Sequence, residues 1–581
     1  MRRAAFVGAL VLVASACGDD TGGGGNEGSG GTTGADSESE SETLTGSSTD
    51  DPSMGSTSTS ETDGDTEGDT EGEAFDPETF VLEDVFGTPN LDDDDSNERT
   101  DWLEVVFEGD DDVAALEVPG LPEGYTVELI ASGELDNFRL WDGDAFAIGV
   151  ADDVTADVYS FAPGPEGSTL DVEFGAFNTQ GSLEVRLLDP EGTELSTQQI
   201  RMMGSPLIMN HHLQPSEGVW VMDVDADFGT NAAMVGVFAS VLGDQFDPVD
   251  DATYGFDVWV QDEIEFATSA GPGGQRLDIV IDSVRDRGLD DFPEDEFVGP
   301  SFIASRWGDP LLATTWDSFG NLEASPPVTV DGTEYPFGKI YYGREGTNGL
   351  QSELGDFLAS QTLQAPFEVD TLWLCVGHVD EFSSFVPDPS SDKGFKFLIS
   401  DVDAAWEIID ALPPSTPLGR FGPDHGFATA GDLQGDPGLR ALNAELQADE
   451  LDPIREQFIA ELGLEESDII YVPSLFEDIP GCGAAALIPG MVNLIVSNPQ
   501  DGPIDIFLAD PFFRQNEGDQ SGDPMIEAFS DALPDGLVPH YVDNWDVYHL
   551  ALGEVHCGTN VLRTPTEDWW TAALPLLEND R

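Results

Sequence analysis

The sequence predicts an all-β sandwich followed by a larger α/β region. Between residues 80 and 203, short runs of alternating polar and apolar residues are separated by Gly, Pro and Asp turns, which is typical of sandwich strands. From residue 207 onward, strand-like runs mix with stretches of helical periodicity, which indicates a mixed α/β region. Residues 18–76 are dominated by Gly, Ser, Thr, Asp and Glu, so they cannot form a hydrophobic core.

The predicted elements are distributed along both folded regions. Strands are predicted at residues 102–107, 169–174 and 183–188 in the β region, and at 219–221, 277–281, 395–399 and 468–472 in the α/β region. Helices are predicted at residues 350–361 and 440–464. An α/β region of this length favours a closed or repeated arrangement of sheets.

The chain is strongly acidic. It has 116 Asp and Glu against 20 Lys and Arg, and a formal net charge of −96. Residues 18–76 hold 17 of these acids, so most of the negative charge belongs to the folded regions. Nucleic-acid binding needs a basic face and is therefore excluded. The acidity is explained by adaptation to salt or by solubility, and it would also attract cationic substrates.

The N-terminus resembles a bacterial lipoprotein leader. A basic start at residues 1–3 precedes an apolar stretch, 4–13, that is too short to span a membrane. Residues 14–17 (ASAC) then resemble a cleavage site with Cys17 as the acylated residue, and an ordinary secretory peptide is the alternative. The following low-complexity segment would act as a flexible tether reaching about 40 Å. We therefore expect an extracytoplasmic, membrane-anchored lipoprotein, with a secreted protein as the alternative.

Four cysteines occur in the chain. If Cys17 is lipidated, the odd number that remains (Cys375, Cys482 and Cys557) predicts at least one free thiol. Their spacing does not suggest a zinc site. Cys375 lies within a predicted strand and is interpreted as a core residue.

A histidine and a carboxylate lie two residues apart after an apolar run. The run, residues 370–376, is predicted to be a buried strand. Side chains two apart on an extended segment point to the same side, so His378 and Asp380 would face one pocket. A proton donor beside a fixed negative charge suits chemistry on a positively charged group. A satisfied surface pair is the alternative interpretation.

Cys557 is a second candidate for chemistry. It follows a β-like run at residues 547–552 and precedes Gly558, where the missing side chain would allow a ligand close to the backbone. A cysteine nucleophile needs access and a polarised environment. A buried structural thiol is the alternative.

Acidic segments suggest cation binding. On a strand over residues 259–265 (WVQDEIE), the glutamine and both glutamates would face one way and the aspartate the other. Oxygen ligands on one side suit Ca²⁺, and a solvent-facing acidic strand is the alternative. The Asp-rich loop at 90–102 is another calcium candidate. Residues 282–288 (DSVRDRG) hold two arginines that would either fix substrate carbonyls or pair with local acids.

These segments together resemble those of the protein-arginine deiminase family. The motifs occur in family order and extend from about residue 90 to near the C-terminus. They are residues 259–263 (WVQDE), 317–323 (DSFGNLE), 325–330 (SPPVTV), 377–382 (GHVDEF), 553–561 (GEVHCGTNV) and the pair 569–570 (WW).

The resemblance implies a fold class and a reaction. It implies a five-fold pseudo-symmetric α/β propeller as the catalytic domain, preceded by an all-β immunoglobulin-like sandwich and a disordered tether. The implied division is a leader at 1–17, a linker at 18–77, a calcium-binding sandwich at 78–203 and the catalytic domain at 204–581. The implied reaction is the calcium-dependent hydrolysis of peptidyl arginine to peptidyl citrulline and ammonia through a cysteine thiouronium intermediate. Arginine-containing proteins or peptides would be the substrates.

The resemblance also implies catalytic roles. Cys557 would attack the guanidinium carbon, Asp262 and Asp380 would hold the guanidinium nitrogens, and His378 would protonate the departing ammonia and then help to activate water. Paired carboxylates suit a guanidinium because it is planar and carries five fixed donors. Its positive charge beside the thiol also favours the thiolate.

Two further residues would contact the substrate. Trp259 would line the arginine side chain, and Arg287 would hold the substrate backbone. Where family members carry a second backbone-holding arginine, this chain has Ala551, which leaves its peptide preference open.

Calcium is the implied cofactor. The implied ligands are Gln261, Glu265, Glu323 and the carbonyls of Phe319 and Leu322 at a first site; Glu263, Asp282, Ser283 and Asp286 at a second; and Asn90, Asp92 and Asp94 in the sandwich. Because several of these flank Asp262, calcium binding would shape the substrate cleft.

Three alternatives to this function remain. The chain would act on free arginine or a small guanidine, or it would be an amidinotransferase that needs an acceptor amine, or it would be a catalytically silent calcium-binding surface lipoprotein. The complete set of four catalytic positions argues against the silent protein. In each case membrane contact would come through the lipid anchor only.

Overall fold

The computed structural model describes residues 75–94, 99–104, 112–151, 154–226, 228–346, 348–500, 502–565 and 569–579. The predicted leader with Cys17, and nearly all of the predicted linker, lie outside these residues. Within them, no helix combines the length and the apolar character needed to cross a membrane.

The N-terminal part of the described chain is all β. Its strands are β1 Val85–Gly87, β2 Ala114–Val118, β3 Thr126–Gly133, β4 Phe138–Asp142, β5 Ala145–Ala151, β6 Val154–Ala156, β7 Val158–Phe161, β8 Ser168–Phe174, β9 Gln180–Leu188 and β10 Glu194–Gly204. They form two five-stranded sheets, ordered β1-β10-β9-β3-β7 and β2-β8-β4-β5-β6. On β9, Leu183, Val185 and Leu187 are buried while the residues between them are partly exposed, so the alternation in the sequence gives one buried face.

The second part mixes strands and helices, as predicted. Its strands are β11 Ile208–Met209, β12 Ser216–Asp223, β13 Asp225–Ala226, β14 Gly229–Thr230, β15 Phe246–Asp250, β16 Ile264–Ala270, β17 Arg276–Asp282, β18 Phe302–Arg306, β19 Leu322–Ala324, β20 Val328–Val330, β21 Thr333–Tyr335, β22 Ile340–Glu345, β23 Asn348–Gly349, β24 Phe367–Val369, β25 Ser383–Pro387, β26 Phe395–Asp401, β27 Ile469–Pro473, β28 Phe476–Ile479, β29 Gly483–Ala486, β30 Ile495–Ser497, β31 Ile504–Ala509, β32 Leu537–Val542 and β33 Thr559–Arg563. Its helices are α1 Ala232–Leu242, α2 Val260–Glu263, α3 Phe292–Phe297, α4 Ser352–Ser360, α5 Val402–Ala411, α6 Phe421–Asp424, α7 Ala430–Gln434, α8 Pro437–Leu446, α9 Asp452–Leu462, α10 Pro524–Ala532 and α11 Trp569–Asn579.

Five sheets of this second part repeat one strand pattern. In each, a central strand pairs antiparallel with one neighbour and parallel with another. The triples, with the central strand in the middle, are β33-β12-β15, β16-β17-β18, β19-β22-β24, β25-β26-β27 and β30-β31-β32. In the first triple the antiparallel partner, β33, comes from near the C-terminus, so the two ends of this region meet in one sheet.

A strand-to-helix junction shows how the sequence produces one of these units. β26 ends at Asp401, whose carboxylate accepts a hydrogen bond from the backbone N of Ala404 at 2.6 Å and so caps α5. The helix then buries Val402, Ala405, Trp406 and Ile409, which are spaced along one face, in the largest hydrophobic cluster.

Most of the predicted elements are confirmed, and four predicted strands are wrong in whole or in part. Residues 370–376 form a turn rather than a buried strand, residues 547–552 lie in turns and a short 3₁₀ helix, and residues 259–265 begin with α2 before entering β16. Residues 101–103 form a 3₁₀ turn where the predicted strand 102–107 begins, and residues 105–107 lie outside the described residues. Each segment has the composition of a strand. Residues 548–552 make local turn bonds instead, such as Leu552 N to the carbonyl of His549 at 3.0 Å, whereas Cys375 N bonds the distant carbonyl of Ala484 at 2.8 Å.

A disulfide corrects the interpretation of Cys375. Cys375 is bonded to Cys482 across 107 residues of sequence, so it is not a free core residue. The backbone N of Cys375 also donates to the carbonyl of Ala484 at 2.8 Å, and the backbone N of Ala484 donates to the carbonyl of Trp373 at 2.9 Å. These links attach the turn that precedes His378 to the β28-β29 hairpin.

Replacing Cys482 by serine is expected to lower the free energy of unfolding by about 2–4 kcal/mol, because the link closes a long loop. The measurement is denaturant unfolding with and without a reductant. The reductant is expected to bring the wild-type midpoint to that of Cys482→Ser and to leave the variant unchanged. A wild-type midpoint that ignores the reductant would contradict the expectation.

Candidate active site

The residues with predicted catalytic roles lie just before the first strand of different sheets. Asp262 precedes β16, His378 and Asp380 precede β25, and Cys557 precedes β33. In the two remaining sheets the equivalent places, just before β19 and β30, hold Gly320 and Asn493. The five sheets therefore supply the site from equivalent positions.

The structure brings the four predicted groups together. The Sγ of Cys557 is 3.4 Å from Oδ2 of Asp380, and Nδ1 of His378 is 3.7 Å from Oδ1 of Asp262. A Cβ atom built on Gly320 would lie 2.6 Å from Nδ1 of His378 and 3.1 Å from Oδ2 of Asp380, so the two pairs border the same glycine. Only a residue without a side chain fits there.

One carboxylate oxygen of Asp380 has no partner within the described chain. Asp380 is 2% exposed, and its Oδ1 makes no hydrogen bond there, whereas Oδ2 contacts Cys557 and Nδ1 of His556. A buried carboxylate oxygen without a donor is costly unless a ligand supplies one. This oxygen is suited to a guanidinium N–H.

The orientation of His378 is fixed by its neighbours. Its Nε2 is 2.8 Å from the carbonyl oxygen of Thr315, and since a carbonyl only accepts, Nε2 carries a proton. Nδ1 therefore faces Asp262. The Glu381 carboxylate accepts from the backbone N of Gly377 at 3.0 Å and of His378 at 2.8 Å, which holds the turn.

Cys557 is a buried free thiol in a tight turn. Burial raises its pKa well above the usual value, and the negative charges of Asp380 and Asp262 raise it further. The adjacent Gly558 makes room for Tyr548 rather than for a ligand, because a Cβ atom there would lie 2.3 Å from the Tyr548 ring. The reason we inferred from the sequence for this glycine is therefore wrong.

Asn493 organises the nucleophile and escaped the sequence analysis. Its Oδ1 accepts from the backbone N of His556 at 2.8 Å and of Cys557 at 3.3 Å. Its Nδ2 is 3.2 Å from Sγ of Cys557 and 3.2 Å from the carbonyl oxygen of Asp380. In the sequence, the feature that could have pointed to Asn493 is that it is a single asparagine within the apolar run 487–496.

The two arginines of residues 282–288 have different surroundings. Arg285 is buried, and its guanidinium lies 2.9 Å from Asp257, 3.4 Å from Glu263 and 3.9 Å from Asp262, so it pairs with local acids. Arg287 keeps 44% of its side chain exposed, and its Nε is 3.6 Å from Asp257. Arg287 is therefore the more exposed of the two guanidinium groups.

Trp259 lies against the nucleophile turn. A Cβ atom built on Gly553 would come within 2.3 Å of the Trp259 ring and within 3.4 Å of Cβ of Cys557. The half-buried indole thus borders the segment that carries Cys557, which agrees with a place beside the substrate side chain.

The turn of α2 separates the acids of residues 259–265. Because a helix rotates about 100° per residue, Gln261 points to Glu265 and to the carbonyl of Phe319, which is 3.2 Å from its Nε2. Asp262 points to His378, and Glu263 points to Arg285. The prediction that Gln261, Glu263 and Glu265 share one face is therefore wrong.

The second implied calcium set contains buried carboxylate oxygens that accept no hydrogen bond in the described chain, although Arg285 lies 3.4 Å from Glu263 and Arg306 pairs with Asp282. Both carboxylate oxygens of Glu263 and Oδ1 of Asp282 have no hydrogen-bond partner among the residues described. Burial raises the pKa of Glu263 to about 8 and that of Asp282 to about 7. Ser283 donates to the carbonyl of Asp317 at 2.9 Å, and Asp286 is exposed. A divalent cation would compensate these buried acids, so the set fits one.

The first implied set surrounds a small cavity. Burial raises the pKa of Glu265, and the charge of Glu323 raises it further. Burial also raises the pKa of Glu323, as does the charge of Asp380. Oε1 of Glu323 has no hydrogen-bond partner in the described structure. The cavity, about 20 Å³ in volume, is lined by both glutamates and by Gln261. Its oxygen donors fit a cation, but two histidines, His212 and His556, also line it.

Some of the implied calcium ligands in the sandwich already bond other residues. Oδ1 of Asp92 is buried without a partner in the described residues, and its Oδ2 accepts from the backbone N of Ser301 at 2.6 Å. The amide of Asn90, in contrast, bonds Glu173 at 3.0 Å and the backbone N of Asp112 at 3.2 Å. Burial and the charges of Asp92 and Asp94 raise the pKa of Asp112 to about 7, so acids crowd this loop as well.

The comparisons with known proteins agree with the resemblance noted in the sequence. The family model described as protein-arginine deiminase matches residues 194–571. The type-4 protein-arginine deiminase of Mus musculus is 34% identical over 421 residues, which cover 67% of this chain and 60% of that protein. The type-1 enzyme of Homo sapiens is 34% identical over 415 residues, covering 67% and 59%, respectively. The chain thus spans about 60% of the length of these relatives.

Proposed function

We propose, because this chain belongs to the protein-arginine deiminase family, that it hydrolyses peptidyl arginine to peptidyl citrulline and ammonia. The observation that carries the proposal is the contact between the groups themselves. Cys557 lies 3.4 Å from Asp380, and His378 lies 3.7 Å from Asp262, with an oxygen of Asp380 left without a donor in the described chain. A planar cation that meets two carboxylates and a thiol is what this arrangement accommodates.

The first half of the reaction forms a covalent intermediate. Asp262 and Asp380 hold the guanidinium nitrogens, and the cation lowers the pKa of the Cys557 thiol that burial had raised. The thiol passes its proton to His378 and the sulfur attacks the guanidinium carbon, so that an S–C bond forms and the C=N π pair moves onto nitrogen. His378 donates a proton to the departing nitrogen, and ammonia leaves with its bonding pair, which gives a thiouronium.

The second half releases the product. His378, now able to accept a proton, takes one from water while the water oxygen bonds the same carbon. The S–C bond then breaks and its electrons return to the sulfur of Cys557. The second proton of the water passes to that sulfur and restores the thiol, and the carbon keeps a C=O bond. The net change replaces one guanidinium nitrogen by oxygen.

Calcium is proposed as the resident cation of the acidic sets. Glu263 and Asp282 would hold it beside α2, and Gln261, Glu265, Glu323 and the carbonyls of Phe319 and Leu322 would hold another beside β19. When bound, it supplies positive charge that compensates the buried acids. The support is the set of carboxylate oxygens that lack donors in the described chain.

The finer architecture is also a proposal. The five sheets with one strand pattern support five blades of a pseudo-symmetric α/β propeller, with β12 and β33 joining the ends of the domain. The two five-stranded sheets support an immunoglobulin-like sandwich. The proposed division places the sandwich at 78–203 and the catalytic domain at 204–581.

An extracytoplasmic, lipid-anchored location is proposed from the leader and Cys17. The Cys375–Cys482 disulfide supports it, because structural disulfides persist mainly in oxidising compartments. Secretion without an anchor is the alternative.

The proposed reaction predicts citrulline formation from an N-acylated arginine amide with calcium and its loss in a chelator. Glu263→Gln is expected to raise the half-saturating calcium concentration at least about tenfold, because it removes a ligand charge. The control is Glu445→Gln, an exposed acid on α8, which should leave the calcium response unchanged. Citrulline assay against calcium concentration is the measurement.

The same assay separates the alternatives. A faster rate on free arginine than on the acylated amide would favour a small-guanidine deiminase, which Ala551 leaves open. Transfer of the amidino group to an added amine without ammonia release would identify an amidinotransferase. If the chain reacts with no guanidine at millimolar calcium, the result would favour the catalytically silent calcium-binding protein.

A further inference from the structure

Two imidazoles and a carboxylate converge on the small cavity behind the nucleophile. Nε2 of His212 is 3.0 Å from Oε2 of Glu323, and Nε2 of His556 is 3.4 Å from Oε1 of the same residue. The three candidate ligand atoms lie within 4.8 Å of one another. All three side chains line the cavity of about 20 Å³, which holds about one small ion or water.

The far sides of both imidazoles are already bonded. Nδ1 of His556 is 2.9 Å from Oδ2 of Asp380, and Nδ1 of His212 is 3.4 Å from the hydroxyl of Ser384. In metal sites, a second-shell acceptor bonds one ring nitrogen and so directs the other nitrogen to the ion. Here the Asp380–His556 pair and the Ser384–His212 pair leave Nε2 of each histidine facing Glu323.

An independent sign of a missing ligand is the state of Glu323. It is 3% exposed, and its Oε1, which lies 3.4 Å from Nε2 of His556, accepts no hydrogen bond in the described chain. A buried acceptor without a donor costs free energy that a cation would remove.

We propose that His212, Glu323 and His556 form a binding site for a transition metal ion of the zinc class. Imidazole nitrogen prefers such ions, whereas calcium takes oxygen ligands. Three protein ligands leave a fourth position open, as in catalytic and regulatory zinc sites. Glu323 is also a proposed calcium ligand, so the two ions would compete for one carboxylate.

The guanidinium of Arg563 is a cation beside the proposed metal site. Arg563 also lines the cavity, but its guanidinium donates to the carbonyls of Gln214 at 2.9 Å and Val496 at 2.8 Å and to Asn498 at 3.2 Å. Glu265 lies on the same cavity and supplies a second carboxylate, which a bound cation would hold in its charged form. The charge balance of the cavity therefore still admits a divalent ion.

The position of the site connects it with the nucleophile. His556 precedes Cys557 in the chain and bonds the carboxylate that contacts the Cys557 sulfur. An ion on His556 would hold Asp380 and the turn of Cys557 in their present arrangement.

The test is metal binding by the full chain in calcium-free buffer, which does not depend on any deiminase activity. Cobalt is titrated into metal-depleted protein and followed by visible absorption, and zinc affinity is measured by competition with a chromophoric chelator. One equivalent is expected, and His212→Asn is expected to weaken it by at least about 100-fold, because a ligand matters more than its second shell. The matched control is His540→Asn, whose imidazole pairs with Asp505 at 2.7 Å outside the cavity.

Two results would overturn the proposal: wild-type protein with no site tighter than millimolar, or His212→Asn with unchanged affinity. If His212→Asn does not fold, X-ray absorption spectroscopy of the zinc-loaded wild type tests the site instead. Two imidazoles with an oxygen at about 2.0–2.1 Å are expected. A sulfur neighbour at about 2.3 Å would assign the ion to a cysteine and refute the site.

Discussion

Cys557→Ala is expected to lose citrulline formation by at least about 10³-fold while the protein stays folded, because the sulfur that forms the covalent bond is removed. Cys557 is the free cysteine of the described chain, and Cys375 and Cys482 are tied in their disulfide. The loss is measured as citrulline and ammonia release from an arginyl peptide at saturating calcium.

A labelling experiment supplies the control for that loss. A haloacetamidine carries a guanidinium-like head, so it should modify the wild type at Cys557, be blocked by an arginyl substrate, and fail to label Cys557→Ala. An unchanged unfolding midpoint shows that the variant is folded. Full hydrolysis by Cys557→Ala would refute the nucleophile.

Asp380→Asn is expected to move two measurable properties in opposite directions. Hydrolysis should fall by at least about 10³-fold, because the carboxylate that holds the guanidinium is lost. Alkylation of Cys557 by iodoacetamide at neutral pH should become faster. The two effects together distinguish loss of substrate binding from a general disturbance of the site.

The sign of the second effect follows from the causes of the thiol pKa. Burial raises the pKa of Cys557, and the charges of Asp380 and Asp262 add to that increase. The thiol is therefore protonated at neutral pH, and alkylation accelerates as pH rises. Removing the charge of Asp380 lowers the pKa, so the alkylation profile shifts to lower pH.

A pH series of alkylation rates on both proteins measures this shift. Asp410→Asn is the matched control, because Asp410 is an exposed acid on α5 that pairs with Arg440 at 2.7 Å. It should alter neither rate. An alkylation profile in Asp380→Asn that moves to higher pH would contradict the assigned electrostatics.

The sequence and its family resemblance predicted four residues that do meet at the site, Asp262, His378, Asp380 and Cys557, but not the local conformation that brings them there. His378 and Asp380 were predicted to face one pocket from a strand, and they do border one glycine, but from a turn and a 3₁₀ helix. The turn depends on the disulfide to Cys482 and on backbone bonds to Ala484, partners more than 100 residues away in the chain. Local periodicity does not contain that information.

Asn493 illustrates the same limit in the opposite direction. Its partners are the backbone nitrogens of His556 and Cys557, so no side-chain pattern around it indicates its role. Its place just before β30 matches that of Asp262 before β16, which becomes visible only when the sheets are aligned by their strand pattern. His212 was missed for a related reason, because it meets Glu323 and His556 only after the sheets have formed.

The single turn of α2 has a thermodynamic consequence. Asp262 points to His378 at the proposed substrate position, and the next residue, Glu263, a proposed calcium ligand, points to Arg285. One turn of backbone therefore carries both. Coupling between two binding events is reciprocal: if calcium tightens arginyl binding by some factor, the arginyl chain tightens calcium by the same factor. A tenfold effect corresponds to about 1.4 kcal/mol in either direction. The calcium concentration at which the protein responds would then depend on how much arginyl ligand surrounds it.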